Sequence, residues 1–180
     1  MLLIMPLDTN IFYFLNSLAG KSRAFDILVI FLSQYLQYLL GVLFLIFLYF
    51  LQKGKREKIC IFLTTIFSII ISRLFITGLI RLFHHRPRPF AFNNVHQLIF
   101  PNGYSFPSGH SAFFFAMAAA IFLFNKKMGI IFFAGAILMN VSRIIAGAHY
   151  PSDIMAGAII GIFSAFLAGF LVKRLEEKND

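Results

Sequence analysis

Residues 107–124 read Pro-Ser-Gly-His-Ser-Ala-Phe-Phe-Phe-Ala-Met-Ala-Ala-Ala-Ile-Phe-Leu-Phe, and Asn125-Lys126-Lys127 follow directly. Polar groups stand at one end of this stretch, cations at the other, and only apolar residues between. A helix that crosses a bilayer needs about 20 largely apolar residues, so the pattern predicts a membrane span with chemistry at its start. Four other segments share it: residues 27–51, 59–83, 128–146 and 153–172. The expectation is an all-α membrane bundle of about five transmembrane helices.

Composition agrees. Of the 180 residues, 59% are hydrophobic and 13% charged, where a soluble domain carries roughly 45–50% and about 25%. Together with a mean hydropathy of +0.83, this excludes an ordinary soluble enzyme, a disordered chain and a coiled coil. The length suits one domain, residues 1–180, with no linker-like stretch. The single cysteine, Cys60, sits in an apolar run and excludes an intramolecular disulfide or a CxxC zinc site.

The net charge of +9 is spread between the apolar spans rather than set on one solvated face, which speaks for membrane lipids and against nucleic acid as partner. The ends of the first, third and fifth segments carry Lys53, Lys55, Arg56 and Lys58, then Lys126 and Lys127, then Lys173, Arg174 and Lys178. These ends fall on one side, and the positive-inside rule makes that side the cytoplasm. Arg81, Arg86, Arg88 and Arg143 lie on the other side and read as ligand-binding charge; Arg73 lies within the second span and has to face the bundle interior. Residues 1–26 form an N-terminal segment. Pro6, Asp8, Asn10 and Asn16 interrupt its apolar start, which predicts an interfacial helix on the outer face rather than a sixth span. A signal peptide is not expected, since the stretch has no leading positive charge and no small-residue cleavage site.

Three polar clusters fall on the non-cytoplasmic side: Arg81 to Phe90, Phe106 to Ser111, and Ser142 to Asp153. Between Glu57 and Glu176 the one carboxylate is Asp153, and an ionisable group beside a span is a functional candidate by default. Arginine is a permanent planar cation suited to bidentate capture of phosphate oxygens, so Arg81, Arg88 and Arg143 describe an anion pocket. Pro107 suits the first turn of a helix, where Ser108 and Gly109 would present backbone N–H groups to an anion. His149 and Asp153, four residues apart, allow the carboxylate to fix one ring nitrogen and leave the other free to attack. His110, on another span, is then available as the acid for a leaving oxygen. Two histidines, one oriented carboxylate and three arginines describe phosphoryl transfer through a phosphohistidine.

These clusters resemble the three signature motifs of the type 2 phosphatidic acid phosphatase superfamily. They stand here as Arg81-x6-Arg88-Pro89, Pro107-Ser108-Gly109-His110 and Ser142-Arg143-x5-His149-x3-Asp153, over roughly residues 59–172. Arg81 occupies the position where the pattern has Lys, keeping the charge and changing its shape. The resemblance implies a nucleophilic His149, its partner Asp153 and an acid His110. It implies phosphate binding by Arg81, Arg88, Ser108, Gly109 and Arg143, with no metal and no cofactor. Within the superfamily, Arg-Pro-Arg-Pro-Phe, the Asn-x-Val-His of the loop, the Phe-Pro-Ser-x-His start, Gly-x-His-Tyr-Pro-x-Asp and an early Leu-Asn-x-Leu-Ala-Gly are most similar to bacterial undecaprenyl-diphosphatases of the bacitracin-resistance type. That similarity implies a lipid diphosphate substrate on the extracytoplasmic face of the bacterial plasma membrane. The alternatives are a phosphatidylglycerophosphate, phosphatidic acid or lipid A phosphatase, or an anionic-lipid binding or transport protein. His84 and His85 are read as interfacial residues reaching toward headgroups, and His96 as a loop residue.

Overall fold

The computed structural model describes residues 6–91 and 94–177, and among these the regular structure is helical, with no strand. Asn93 and Lys178, used in the sequence reading, lie outside the described residues. Helix α1 is Pro6–Asn16, α2 Arg23–Phe50, α3 Lys55–Phe83, α4 Gly109–Phe124, α5 Lys126–Ile145 and α6 Pro151–Glu177. The helices α2, α3, α5 and α6 are long and apolar enough to cross a membrane, whereas α4 has 16 residues and rises only about 24 Å. Four of the five expected spans are therefore full length, and the third is short. It is short because Pro107 does not enter the helix: Ser108 is its N-cap, accepting the Ser111 N–H at 3.4 Å. The expected first-turn proline instead lies two residues outside, after a cis peptide bond with Phe106. A short α4 beside a long α3 sinks the start of α4 into the bundle, so that Gly109 abuts Arg73, ten residues before the end of α3.

Consecutive helices at the cation-rich end are joined tightly. Asn125 closes α4 through its N–H to Ile121 O and caps α5 by accepting the Met128 N–H at 3.0 Å. One capping residue thus serves two helices and sets them antiparallel. Glycines then control how closely helices approach. A Cβ on Gly157 of α6 would lie 2.5 Å from Ser108 O, and one on Gly161 would lie 2.6 Å from Ala112 O. Backbones that meet this closely need small residues at the contact, and the contact carries the site: Ser108 N–H donates to Asp153 O at 3.0 Å and Ser111 Oγ to Ile154 O at 2.6 Å. The apolar core between α2, α4 and α5 includes Leu40, Phe44, Phe114, Ile121, Phe132 and Met139. Leu45, Phe50, Phe75, Phe83, Ile159 and Phe163 are exposed on the outside of the bundle, as lipid-facing residues of a span would be.

Helix α1, with 11 residues, is too short to span. It lies across the motif end, where Phe12 packs with Ile144 and Tyr150. Asn16 staples it there, donating to His96 O at 2.9 Å and Ile145 O at 2.8 Å while accepting the His96 N–H. Two long helices loosen locally into π-helical turns, Phe31–Tyr35 in α2 and Ile70–Ile76 in α3. Such turns inside α-helices often mark functional positions, and both lie beside the motif residues.

Candidate active site

His149 sits in the turn between α5 and α6, which Gly147 makes possible with a φ of +80°. Pro151 opens α6, and Asp153 in its first turn accepts the Tyr150 N–H at 2.8 Å. The same oxygen, Oδ2, stands 3.5 Å from His149 Nδ1. Ser105 completes the contact: its hydroxyl donates to Asp153 Oδ2 and lies 3.4 Å from His149 Nδ1. The i, i+4 pairing read from the sequence is present, with a serine that no motif flagged wedged beside it.

Arg88 settles the tautomer. Its Nη1 lies 3.2 Å from His149 Nε2, and a guanidinium can only donate. Nε2 must therefore offer its lone pair, and Nδ1 carries the proton toward Asp153 and Ser105. The remaining donors of Arg88 hold the surrounding loop, reaching Gly103 O, Ala148 O and Asn102 O at 2.9, 2.9 and 3.0 Å. Burial, with Arg81 second, lowers the Arg88 pKa to about 10, against the raising pull of Asp153. It stays charged at neutral pH. Burial also pushes the His149 pKa down to about 4, with Arg143 and Arg88 adding to the shift and Asp153 opposing it. The ring is a buried neutral imidazole whose Nε2 lone pair faces the Arg88 cation, an arrangement that can serve a nucleophile.

The other predicted residues converge on the same end. Arg143 is buried, donates from Nη1 to Ser33 O at 2.9 Å, and has an Nε without a protein partner among the described residues. Its acceptor belongs to the π-helical turn of α2, where an α-helical carbonyl would be occupied. Arg81 donates to Pro107 O at 2.8 Å and likewise leaves Nε unpartnered. His110 is half-buried at the start of α4, within electrostatic reach of His149, Arg143, Arg88 and Arg73. Ser108 differs from expectation: its N–H is committed to Asp153 O, so its hydroxyl, not its backbone, is what it can offer an anion. The N–H groups of Gly109 and His110 are first-turn groups without intrahelical partners.

A second carboxylate, Asp8, enters from α1. Asp8 accepts the Ser152 N–H at 2.9 Å and the Ser152 hydroxyl at 2.6 Å, and pairs with Arg86 at 2.7 Å. Arg86 reaches on to Asp153 Oδ1 at 2.8 Å and stacks over the Tyr150 ring at 4.2 Å. Arg86 therefore braces the carboxylate that orients His149. The rings of His84 and His85 pack on Phe106 and Tyr104, with centroids 5.1 and 4.4 Å apart. His96 is in the loop, as expected, beneath Gly20.

The chain is similar to known proteins in sequence and in fold. The model of the PAP2 superfamily matches residues 62–176. The bacitracin transport permease protein BcrC of Bacillus licheniformis is 31% identical over 171 residues, 94% of this chain and 82% of the relative. The undecaprenyl-diphosphatase BcrC of Bacillus subtilis is 29% identical over 165 residues, 89% of this chain and 82% of the relative. The crystal structure of Aquifex aeolicus LpxE superposes with a TM-score of 0.75 at 26% identity, covering 91% of this chain and 95% of that one.

Proposed function

Because the chain belongs to the PAP2 superfamily, and so is a phosphoric ester hydrolase with membrane-spanning helices, we propose that it removes the terminal phosphate of undecaprenyl diphosphate through a phosphohistidine on His149. The observation that carries this reading is the His149 ring itself, with Nδ1 turned to Asp153 and Ser105 and Nε2 turned to Arg88. Arg88, Arg143 and Arg81 hold the terminal phosphate with the Ser108 hydroxyl and the Gly109 N–H. His149 Nε2 attacks the phosphorus in line. The bond to the bridging oxygen breaks, and His110 gives that oxygen its proton, releasing the lipid monophosphate. His110 then takes a proton from water, which attacks the phosphohistidine, frees inorganic phosphate and restores His149. Positioning and charge neutralisation supply the rate, as phosphoryl transfer requires. No step uses a metal ion.

Support for the lipid diphosphate comes from the similarity to the undecaprenyl-diphosphatase of Bacillus subtilis. A carrier of anionic lipids would need the arginines but not an oriented His149 opposite His110. The site is proposed to face the outside of the bacterial plasma membrane, since Lys53, Lys55, Arg56, Lys58, Lys126, Lys127, Lys173 and Arg174 gather at the opposite end. Phosphate release by the purified protein, in detergent with excess chelator, tests the substrate. Undecaprenyl diphosphate should exceed phosphatidylglycerophosphate, phosphatidic acid and lipid A in kcat/KM. A lipid monoester in first place, or activity lost to chelator and restored by magnesium, contradicts the reading. Cysteines placed at Asn94 and Asn102 should label from outside intact cells and one at Gly54 should not. The reverse pattern would turn the site inward.

A further inference from the structure

Arg73 takes no part in the reaction as described, yet it stands next to it. A cation within a membrane span is costly and normally has a partner. Arg81, Arg86, Arg88 and Arg143 each donate to protein oxygens, but Arg73 makes no hydrogen bond or ion pair with another described residue. Its guanidinium lies against Gly109, where an added Cβ would come within 2.6 Å of Nε and 2.7 Å of Cζ. The missing side chain at position 109 is what leaves room for it. The π-helical turn Ile70–Ile76 carries Arg73 to this place, and the residue lines a cavity of about 210 Å³ with Gln37, Gly109, His110, Phe113 and Phe114.

His110 thus lines this cavity while lying within electrostatic reach of His149. If His110 protonates the bridging oxygen, the leaving group has to extend to its cavity side. The leaving group of a lipid monoester is a neutral alcohol. The leaving group of a lipid diphosphate is a phosphate, which in an apolar surrounding needs a cation of its own. We infer that Arg73, assisted by the Gln37 side chain, forms a second phosphate subsite that holds the retained phosphate of a diphosphate ester, with the lipid chain leaving past Phe113 and Phe114. This inference rests on the proposed role of His110. It makes Arg73 a specificity residue, selecting two linked phosphates over one.

The test compares farnesyl diphosphate with farnesyl monophosphate, using the full chain in detergent. Arg73→Gln should lower kcat/KM on the diphosphate by about tenfold or more, the size of one lost charge-assisted contact. It should change the monophosphate by less than about threefold. Arg73→Lys should restore part of the loss, and Gln37→Leu should show the same selectivity at smaller amplitude. Because Arg73 makes no hydrogen bond or ion pair with another described residue, the melting temperature of Arg73→Gln should not fall. Inorganic pyrophosphate should inhibit the variant less than the wild type, with inhibition by inorganic phosphate unchanged. Equal losses on both substrates, or no loss on the diphosphate, overturn the subsite and leave the phosphohistidine reading standing. If Arg73→Gln does not fold, Arg73→Lys and Gln37→Leu decide by the same comparison. A wild type without diphosphatase activity overturns the substrate reading itself.

Discussion

At the cation-rich end, Asn125 joins α4 to α5 with hardly a loop, and a short turn ending at Gly54 joins α2 to α3. At the motif end the described residues 84–91 and 94–108, with no α-helix among them, separate α3 from α4, α1 lies across the bundle, and polar side chains are buried in a connected network. The first end sets topology with local signals: a cap, a glycine, a run of lysines. The second sets chemistry with contacts that reach across the chain. Asp8 holds Ser152, 144 residues away, and Arg143 finds its acceptor in Ser33, 110 residues away. Within the motif end the same division recurs. Residues in the motifs come together at this end, while residues outside them, Asp8, Ser105 and the Ser33 carbonyl, hold them in place.

The largest effect should come from the α4–α6 contact that unites the second and third motifs. Gly157→Ala would place a methyl group against Ser108 O and, at 2.7 Å, Ser111 Cβ. Overpacking of this kind costs about 1–3 kcal/mol, and the helices have to part at the level of Asp153. A displacement of about 1 Å costs on the order of a hundredfold in rate, so kcat should fall by about that much along with the melting temperature. Full activity in this variant would show that the contact does not set the site.

Asp8→Asn probes the support from outside the motifs and should act less strongly. The amide cannot pair with Arg86 as the carboxylate does, so Arg86 turns fully to Asp153 and draws it from His149. Residues that orient a reacting group typically matter about 10- to 100-fold, and the lower part of that range is expected here. The loss should fall on kcat with KM nearly unchanged, and Asp8→Glu should recover part of it. A change in KM alone would make Asp8 a substrate contact instead.

How much of this was legible follows the same line. The five apolar segments and the three motif clusters that meet at one end could be read because periodicity, cation runs and fixed spacings are local. Ser105 and Asp8 could not, since a serine three residues before Ser108 and a lone acid in an apolar helix have no signal until the chain folds. Arg86 was visible as charge but not as the brace of Asp153. Pro107 was misplaced by its own propensity: it suits a first helical turn, but Ser108 caps better and left the proline outside, freeing Pro107 O for Arg81. The π-helical turns have no pattern in the sequence, and with them the acceptor of Arg143 and the position of Arg73 were hidden.

The smallest expected effect is an absence of change. The His149 pKa is lowered by burial to about 4 from the ordinary 6.5, so the ring stays unprotonated, and nucleophilic, as pH falls to about 5 and is lost only on passing 4. Phosphoenzyme formation from an aryl phosphate, whose departure needs little help from an acid, should be flat between pH 8 and about 5 after correction for the ester's own ionisation. A limb near 6.5 would mean that His149 is not buried as described. The same shift bears on folding. The unfolded ring takes up a proton below about 6.5 and the folded ring resists it, so stability present above 6.5 declines as pH falls toward 4.

The account stands most directly on which histidine carries phosphate. A phosphate-labelled aryl phosphate, whose departure needs little help from an acid, quenched in base after mixing with His110→Ala protein, should leave a base-stable, acid-labile label on the peptide containing His149. His110→Ala should accumulate this intermediate, because the residue that activates the hydrolytic water is gone, and His149→Ala should form none and lose turnover. Label on His110 in the wild-type enzyme, or near-normal turnover by His149→Ala, would contradict the assignment.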